Sequence, residues 1–258
     1  MDNAHITRKD PAAYDRQARS SQDTLKRPSL FTQYSVLVAR DLHVEFRTRQ
    51  MFTSMGIYAF LVIIIYGAAL ALTAGSMDIM RMAGGLVWVL IVFTSLLGLN
   101  RSFTTEKEYG CMEGLLLAPI DRSVIFLAKA TANILFMLAV EVVAIPLFCF
   151  FFLGGVSLSE TAWMALLAIL AGTIGMAATG TMLSTITMGT RAKDVLLTVL
   201  FIPVTFPLLY ACVTATTTAI IGADYWFDLY TVPLLMACAY DIIMTLLCWV
   251  LYDFVVSP

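Results

Sequence analysis

The feature that most constrains this chain is a succession of six apolar runs, free of basic residues, that fill most of the sequence after residue 50. A hydrocarbon layer about 30 Å thick is crossed by about 20 helical residues at roughly 1.5 Å each, and each run is of that order. They fall at approximately Met51–Thr73, Met82–Leu99, Ala130–Leu153, Thr161–Met188, Val195–Ile221 and Leu229–Tyr252. With 60% of 258 residues hydrophobic and 13% charged, no water-soluble core of this length could hide so much apolar surface. The expected fold is an all-α integral membrane protein with six transmembrane helices. The net charge of −2 says little, because the charges sit in a few clusters, and nucleic acid is not an expected partner.

Orientation follows from the basic residues, which stay on the cytoplasmic side of short loops. Arg101, Lys107, Arg122 and Lys129 lie between the second and third spans, and Arg191 and Lys193 between the fourth and fifth. Arg81 alone falls on the other face. Both termini are therefore expected in the cytoplasm. No short apolar stretch with a small-residue cleavage site precedes the first span, which is expected to act as the insertion signal itself. Residues 1–27 read as a disordered polar tail and 28–258 as the six-helix domain. Between them, Pro28–Gln50 carries Phe31, Tyr34, Val38 and Leu42 at helical spacing. That pattern predicts an N-terminal amphipathic helix lying in the membrane interface, with His43 on its polar face.

Within the spans, two carboxylates stand out. Glu141 and Asp241 sit near the middle of the third and sixth runs, where a charge costs about 2.5–3.5 kcal/mol on insertion scales. No run contains Lys, Arg or His. Each acid must line a polar interior surface or subunit contact, or be protonated and bonded to a neighbouring helix. The fourth run, rich in Gly, Ala, Ser and Thr at spacings of three and four, is expected at the centre of the bundle. Pro203 and Pro207 are expected to perturb the fifth. Of Cys111, Cys149, Cys212, Cys238 and Cys248, none forms a CxxC pair, so they read as small buried residues and not as a metal site.

The segment Asn100–Lys129 joins the second and third spans. Its first half is charged, Gly110 interrupts it, and Met112, Leu115 and Leu116 share one helical side before Pro119. Such a helix suits either docking onto another protein or lying in the interface. Asp121 can cap the helix that follows. There is no GxxxxGK[ST], HExxH, CxxCH or GxSxG, so the chain is expected to be non-catalytic and, as a transporter subunit, driven by a partner.

The residues Glu106, Gly110, Glu113, Leu115–Leu117, Pro119 and Lys129 resemble the ExxxGxxExLLLxP motif, ending in a lysine, of bacterial type-two ABC exporter permeases. Residues 84–103 and the double-proline stretch 201–216 are similar to the second and fifth helices of the CcmB family, the haem exporter permeases of cytochrome c maturation. The resemblance runs from about residue 30 to 250. It implies an inner-membrane permease, a homodimer bound to a CcmA-like ATPase, with CcmC-like and CcmD-like membrane proteins and a functional link to the haem chaperone CcmE. ATP would bind the partner, the complex would handle haem, and this chain would bind no cofactor. The cytoplasmic coupling helix would lie in Asn100–Pro119, with Glu106, Gly110, Glu113, Leu116 and Pro119 as the ATPase-docking residues. No histidine occurs in any span or outer loop, so an obvious axial ligand for haem is missing. Two other readings are a type-two exporter of a lipid, drug or polysaccharide, and a membrane scaffold without a transport cycle. Tyr225–Asp228 reads as an interfacial aromatic anchor.

Overall fold

The computed structural model describes residues 29–72, 79–108, 121–153, 161–187, 190, 193–222 and 226–256, and among these every regular element is helical. Helix α1 (Leu30–Thr48) precedes six helices long and apolar enough to cross a membrane. These are α2 (Gln50–Leu72), α3 (Ile79–Glu108), α4 (Arg122–Phe148), α5 (Ala165–Thr187), α6 (Lys193–Ile221) and α7 (Val232–Val256). Alternating directions place α1, the end of α3 and the start of α4 at one end, here called the basic end because Arg101 and Arg122 lie there. A π-helical turn, Cys149–Leu153, closes α4 at the opposite end, and another, Phe227–Thr231, leads into α7.

Helix α5 is the most buried span and packs against α3, α4, α6 and α7. Its small residues explain this. A Cβ at Gly172 would overlap the Trp88 ring of α3, one at Gly175 would overlap Asp241 of α7 and Leu208 of α6, and one at Gly180 would overlap Leu99 of α3. Each glycine is thus a seat for a large side chain from another helix, which is how close approach is reached where lipid gives no hydrophobic drive between helices. Trp88 is held in its seat by an indole N–H donated to Thr216 Oγ1 of α6 at 2.9 Å.

The two prolines of α6 lie inside an unbroken helix. Beside them Tyr240 donates its hydroxyl to Val204 O at 2.9 Å, and Thr205 bonds Phe201 O at 2.8 Å. The carbonyls that lose a helical N–H donor to the prolines are Val199 O and Pro203 O, so these hydroxyls add bonds to neighbouring carbonyls and do not replace the missing ones.

The interfacial helix forms where expected, with Ser29 as its cap: Ser29 Oγ accepts from Thr32 N. Its apolar residues divide between the protein and the outer side. Leu37 is buried with Tyr34 and Val38 beside it, whereas Phe31 is 78% exposed. The reason is that α1 lies against α4, and the line of contact along α4 selects Gln33 and Leu37 in place of Phe31. A sharp elbow joins α1 to α2. Arg49 takes a left-handed conformation, φ 52°, and Glu45 Oε1 accepts the backbone N–H groups of Met51 and Phe52 at 2.7 and 3.1 Å. The carboxylate thus caps the start of the first span, where orphan N–H groups and the helix dipole favour negative charge.

The helix that carries the third span begins at Arg122, after the expected Asp121 cap, and Lys129 within it is buried. Cys212 and Cys248 are buried, but Cys238 is exposed on α7, and Cys111 lies outside the described residues. In the expected aromatic anchor Tyr225–Asp228, Trp226 stacks on Tyr230 at 4.4 Å and packs against the main core, Phe227 is exposed, and Tyr225 lies outside the described residues. Gly172→Ala is expected to lower the stability of the purified protein by about 1–3 kcal/mol through overpacking against Trp88. Gly56→Ala, where a Cβ meets nothing within 4 Å, should be neutral or slightly stabilising, and thermal unfolding in detergent separates the two.

Candidate functional site

Two regions carry the residues that the sequence singles out. The first is the α3–α4 junction at the basic end. Helix α3 continues as helix beyond the apolar span, from Arg101 to Glu108, so the backbone of Glu106 belongs to a rigid extension of the second span. Gly110, Glu113, Leu116 and Pro119 lie outside the described residues, as does the side chain of Glu106. The chain is described again at Asp121, whose Oδ1 caps α4 by accepting from Ser123 N at 3.2 Å.

Around the start of α4 a second apolar cluster gathers four helices. Tyr34, Leu37 and Val38 of α1 meet Ile125 and Phe126 of α4, together with Met182 of α5 and Tyr252 of α7. Polar contacts tie α1 to α4 over the same area. Tyr34 donates to Thr131 Oγ1 at 2.9 Å, Asp121 N donates to Gln33 Oε1 at 3.4 Å, and Lys129 Nζ lies 3.5 Å from Asp41 Oδ2. The other oxygen of Asp41 pairs with Arg40 at 3.2 Å. Sequence reasoning left Asp41 unremarked. An acid 88 positions before a lysine gives no local signal, and only the fold brings them together.

The second region is the pair of intramembrane acids. They do not meet one another: both converge on α5, two residues apart. Glu141 of α4 is 5% exposed, and Thr173 Oγ1 stands 2.9 and 3.0 Å from its two oxygens while also lying 2.9 Å from Ile169 O. A hydroxyl has one hydrogen to donate, and three oxygens compete for it. A carboxyl group that carries its own proton ends that competition and avoids the cost of a charge in hydrocarbon.

Asp241 of α7 is 9% exposed and rests on Gly175, with Leu208 of α6 alongside. Among the described residues no group bonds its Oδ1. The next polar contacts along α5 are Thr179 with Tyr240 at 3.4 Å and Thr181 with Asn133, whose amide donates at 2.9 Å. Helix α5 is therefore a polar spine inside an apolar bundle. An apolar cleft of about 430 Å³, lined by Phe60, Ile64, Gly67 and Phe152 among others, opens at the far end, and neither acid lines it. Among the described residues no cluster of His, Cys, Asp and Glu could hold a metal ion.

Removing the hydroxyl with Thr173→Val strips Glu141 of its partner and is expected to cost about 1–3 kcal/mol. Glu141→Gln, neutral and able to donate, should cost less than Glu141→Ala when all three are compared by thermal unfolding in detergent.

Comparison with known proteins gives a consistent picture. The family described as CcmB protein matches residues 32–248. A relative from Pseudomonas aeruginosa named Heme exporter protein B is 29% identical over 176 residues, which is 68% of this chain and 77% of the relative. A protein of the same name from Rhodobacter capsulatus is 28% identical over 174 residues, covering 67% of this chain and 77% of that one.

Proposed function

The chain belongs to the CcmB protein family, and from that premise we propose that it is the membrane permease subunit of an ABC transporter complex that delivers haem in c-type cytochrome biogenesis. The observation that carries this reading is that two relatives, 29% and 28% identical over aligned stretches of 176 and 174 residues, are both named Heme exporter protein B. Haem is the cargo of the complex, with no resident cofactor on this chain. The subunit is non-catalytic, and ATP is hydrolysed by a CcmA-like partner. CcmC-like and CcmD-like proteins and a second copy of this chain complete the assembly.

The basic end faces the cytoplasm of a bacterial inner membrane, as the positive-inside rule requires, and both termini lie there. The ATPase docks on Asn100–Pro119 through Glu106 and Glu113. Helix α3 favours this, because a displacement applied beyond Arg101 acts on a continuous rod. The rod ends against α5 and α6, through Trp88 in the Gly172 seat and its bond to Thr216. Closure of the nucleotide-loaded ATPase pair would thus shift α3 and α4 against the polar spine. The output is release of haem-loaded CcmE from the CcmC-like subunit.

The test is deletion of the gene with haem staining of membranes and periplasm, and an immunoblot for haem-loaded CcmE. Loss of c-type cytochromes with haem retained on CcmE is expected. Normal cytochromes would reject the haem assignment and leave another exported cargo. Glu106→Lys with Glu113→Lys should abolish copurification of the ATPase, and intact copurification would remove the docking assignment.

A further inference from the structure

We infer that Lys129 and Asp41 form a latch that makes the interfacial helix α1 move as one body with the start of α4, so that α1 is a second arm of the coupling element. The inference rests on the reading of the chain as a subunit driven from its basic end. Its starting point is a group with an awkward position: the Lys129 side chain is 7% exposed, about two turns inside α4, and its ammonium faces Asp41 of α1.

Stability does not explain this arrangement. Asp41 already has Arg40 as a partner at the surface, and drawing a second cation out of water costs desolvation that a buried ion pair often fails to recover. What a buried pair does supply is a fixed relative position, because leaving either charge alone is far worse than keeping both. Two neutral contacts, Tyr34 to Thr131 and Asp121 N to Gln33, sit at other points along the same two helices. Three separated points remove both sliding and pivoting. Helix α1 accordingly packs more extensively on α4 than on α2, the helix to which it is joined.

The route continues in two directions. Through Phe126 and Tyr252, whose rings lie 5.4 Å apart, the start of α4 bears on α7. Through the elbow, where Glu45 holds the first N–H groups of α2, movement of α1 is delivered to the first span. Helix α2 borders α3 and α4 but is not packed on the central α5, so the latch and elbow give it a direct input that the bundle core does not.

The test compares Asp41→Asn, Lys129→Met and the exchanged pair Asp41→Lys with Lys129→Asp, in the assembled complex in its own membrane. Two measurements are made. The first is thiol cross-linking of Tyr34→Cys to Thr131→Cys in a background lacking the native cysteines, with a short bifunctional reagent. Each single charge variant should lower cross-linking several-fold and the exchanged pair should restore it. The second is the yield of c-type cytochromes. Single variants should retain the ATPase on purification yet lose about tenfold in yield, and the exchange should recover most of it, the pattern of a coupled pair.

Cross-linking indifferent to both single variants would overturn the latch whatever the cargo. So would reduced cross-linking that leaves cytochrome yield untouched in a strain whose deletion abolishes it. If deletion itself leaves cytochromes normal, the haem reading fails while cross-linking still decides the latch. Should Lys129→Met fail to accumulate, Asp41→Asn and the conservative Lys129→Arg carry the comparison, the latter expected to stay near wild type in both measurements.

Discussion

Everything in this molecule depends on the burial of α5, where Thr173 and Thr181 are wholly covered by neighbouring helices. With no solvent to bond stray polar groups, each hydroxyl and carboxyl group in the bundle must find its partner within the protein or remain neutral. Helix α5 meets this demand by combining seats and partners on one rod. Gly172, Gly175 and Gly180 admit Trp88, Asp241 and Leu99, while Thr173 and Thr181 serve Glu141 and Asn133. A longer side chain at any seat would push a neighbouring helix away, and the hydroxyls would then lose their partners as well. Packing and polar satisfaction are a single property here.

This arrangement divides the bundle into a centre and a shell. Helices α3 and α5 are mostly covered, whereas α2 and α7 offer most of their length to the surroundings, with Ile57, Ile64, Ile242 and Leu246 among the exposed apolar side chains. In a bilayer such faces suit acyl chains or other membrane proteins equally, since neither contact must exclude water. The polar work is concentrated at two depths instead: the mid-bundle pair at Thr173 and Gly175, and the basic end where α1 meets α4.

The sequence exposed the helices more clearly than their partners. Spans are readable because length and hydropathy are local, and the centrality of α5 is readable because small residues at spacings of three and four are local too. The cap at Asp121 follows the same rule. The burial of Gln33 and Leu37 is not readable locally, because helical spacing names several possible faces and the choice is made by α4, some ninety residues away. Glu141 and Asp241 were conspicuous by composition alone, yet their convergence on α5 needed the fold. The start of the α4 helix is readable from the Asp121 cap, but the burial of Lys129 against Asp41 is not, because its partner lies 88 positions earlier.

The elbow and the latch also differ in when they can exist during synthesis. Every atom of the elbow comes from residues 45–52, so Glu45 can cap the first span as soon as that span has left the ribosome. The contact of Asp41 with Lys129 must wait until two complete spans and the start of a third have been made. For that interval α1 has its own register set by Ser29 and its hinge set by Glu45, but no berth. Its interfacial character keeps it at the membrane surface until α4 arrives, and the cluster it joins is complete only when Tyr252 of α7 has been made.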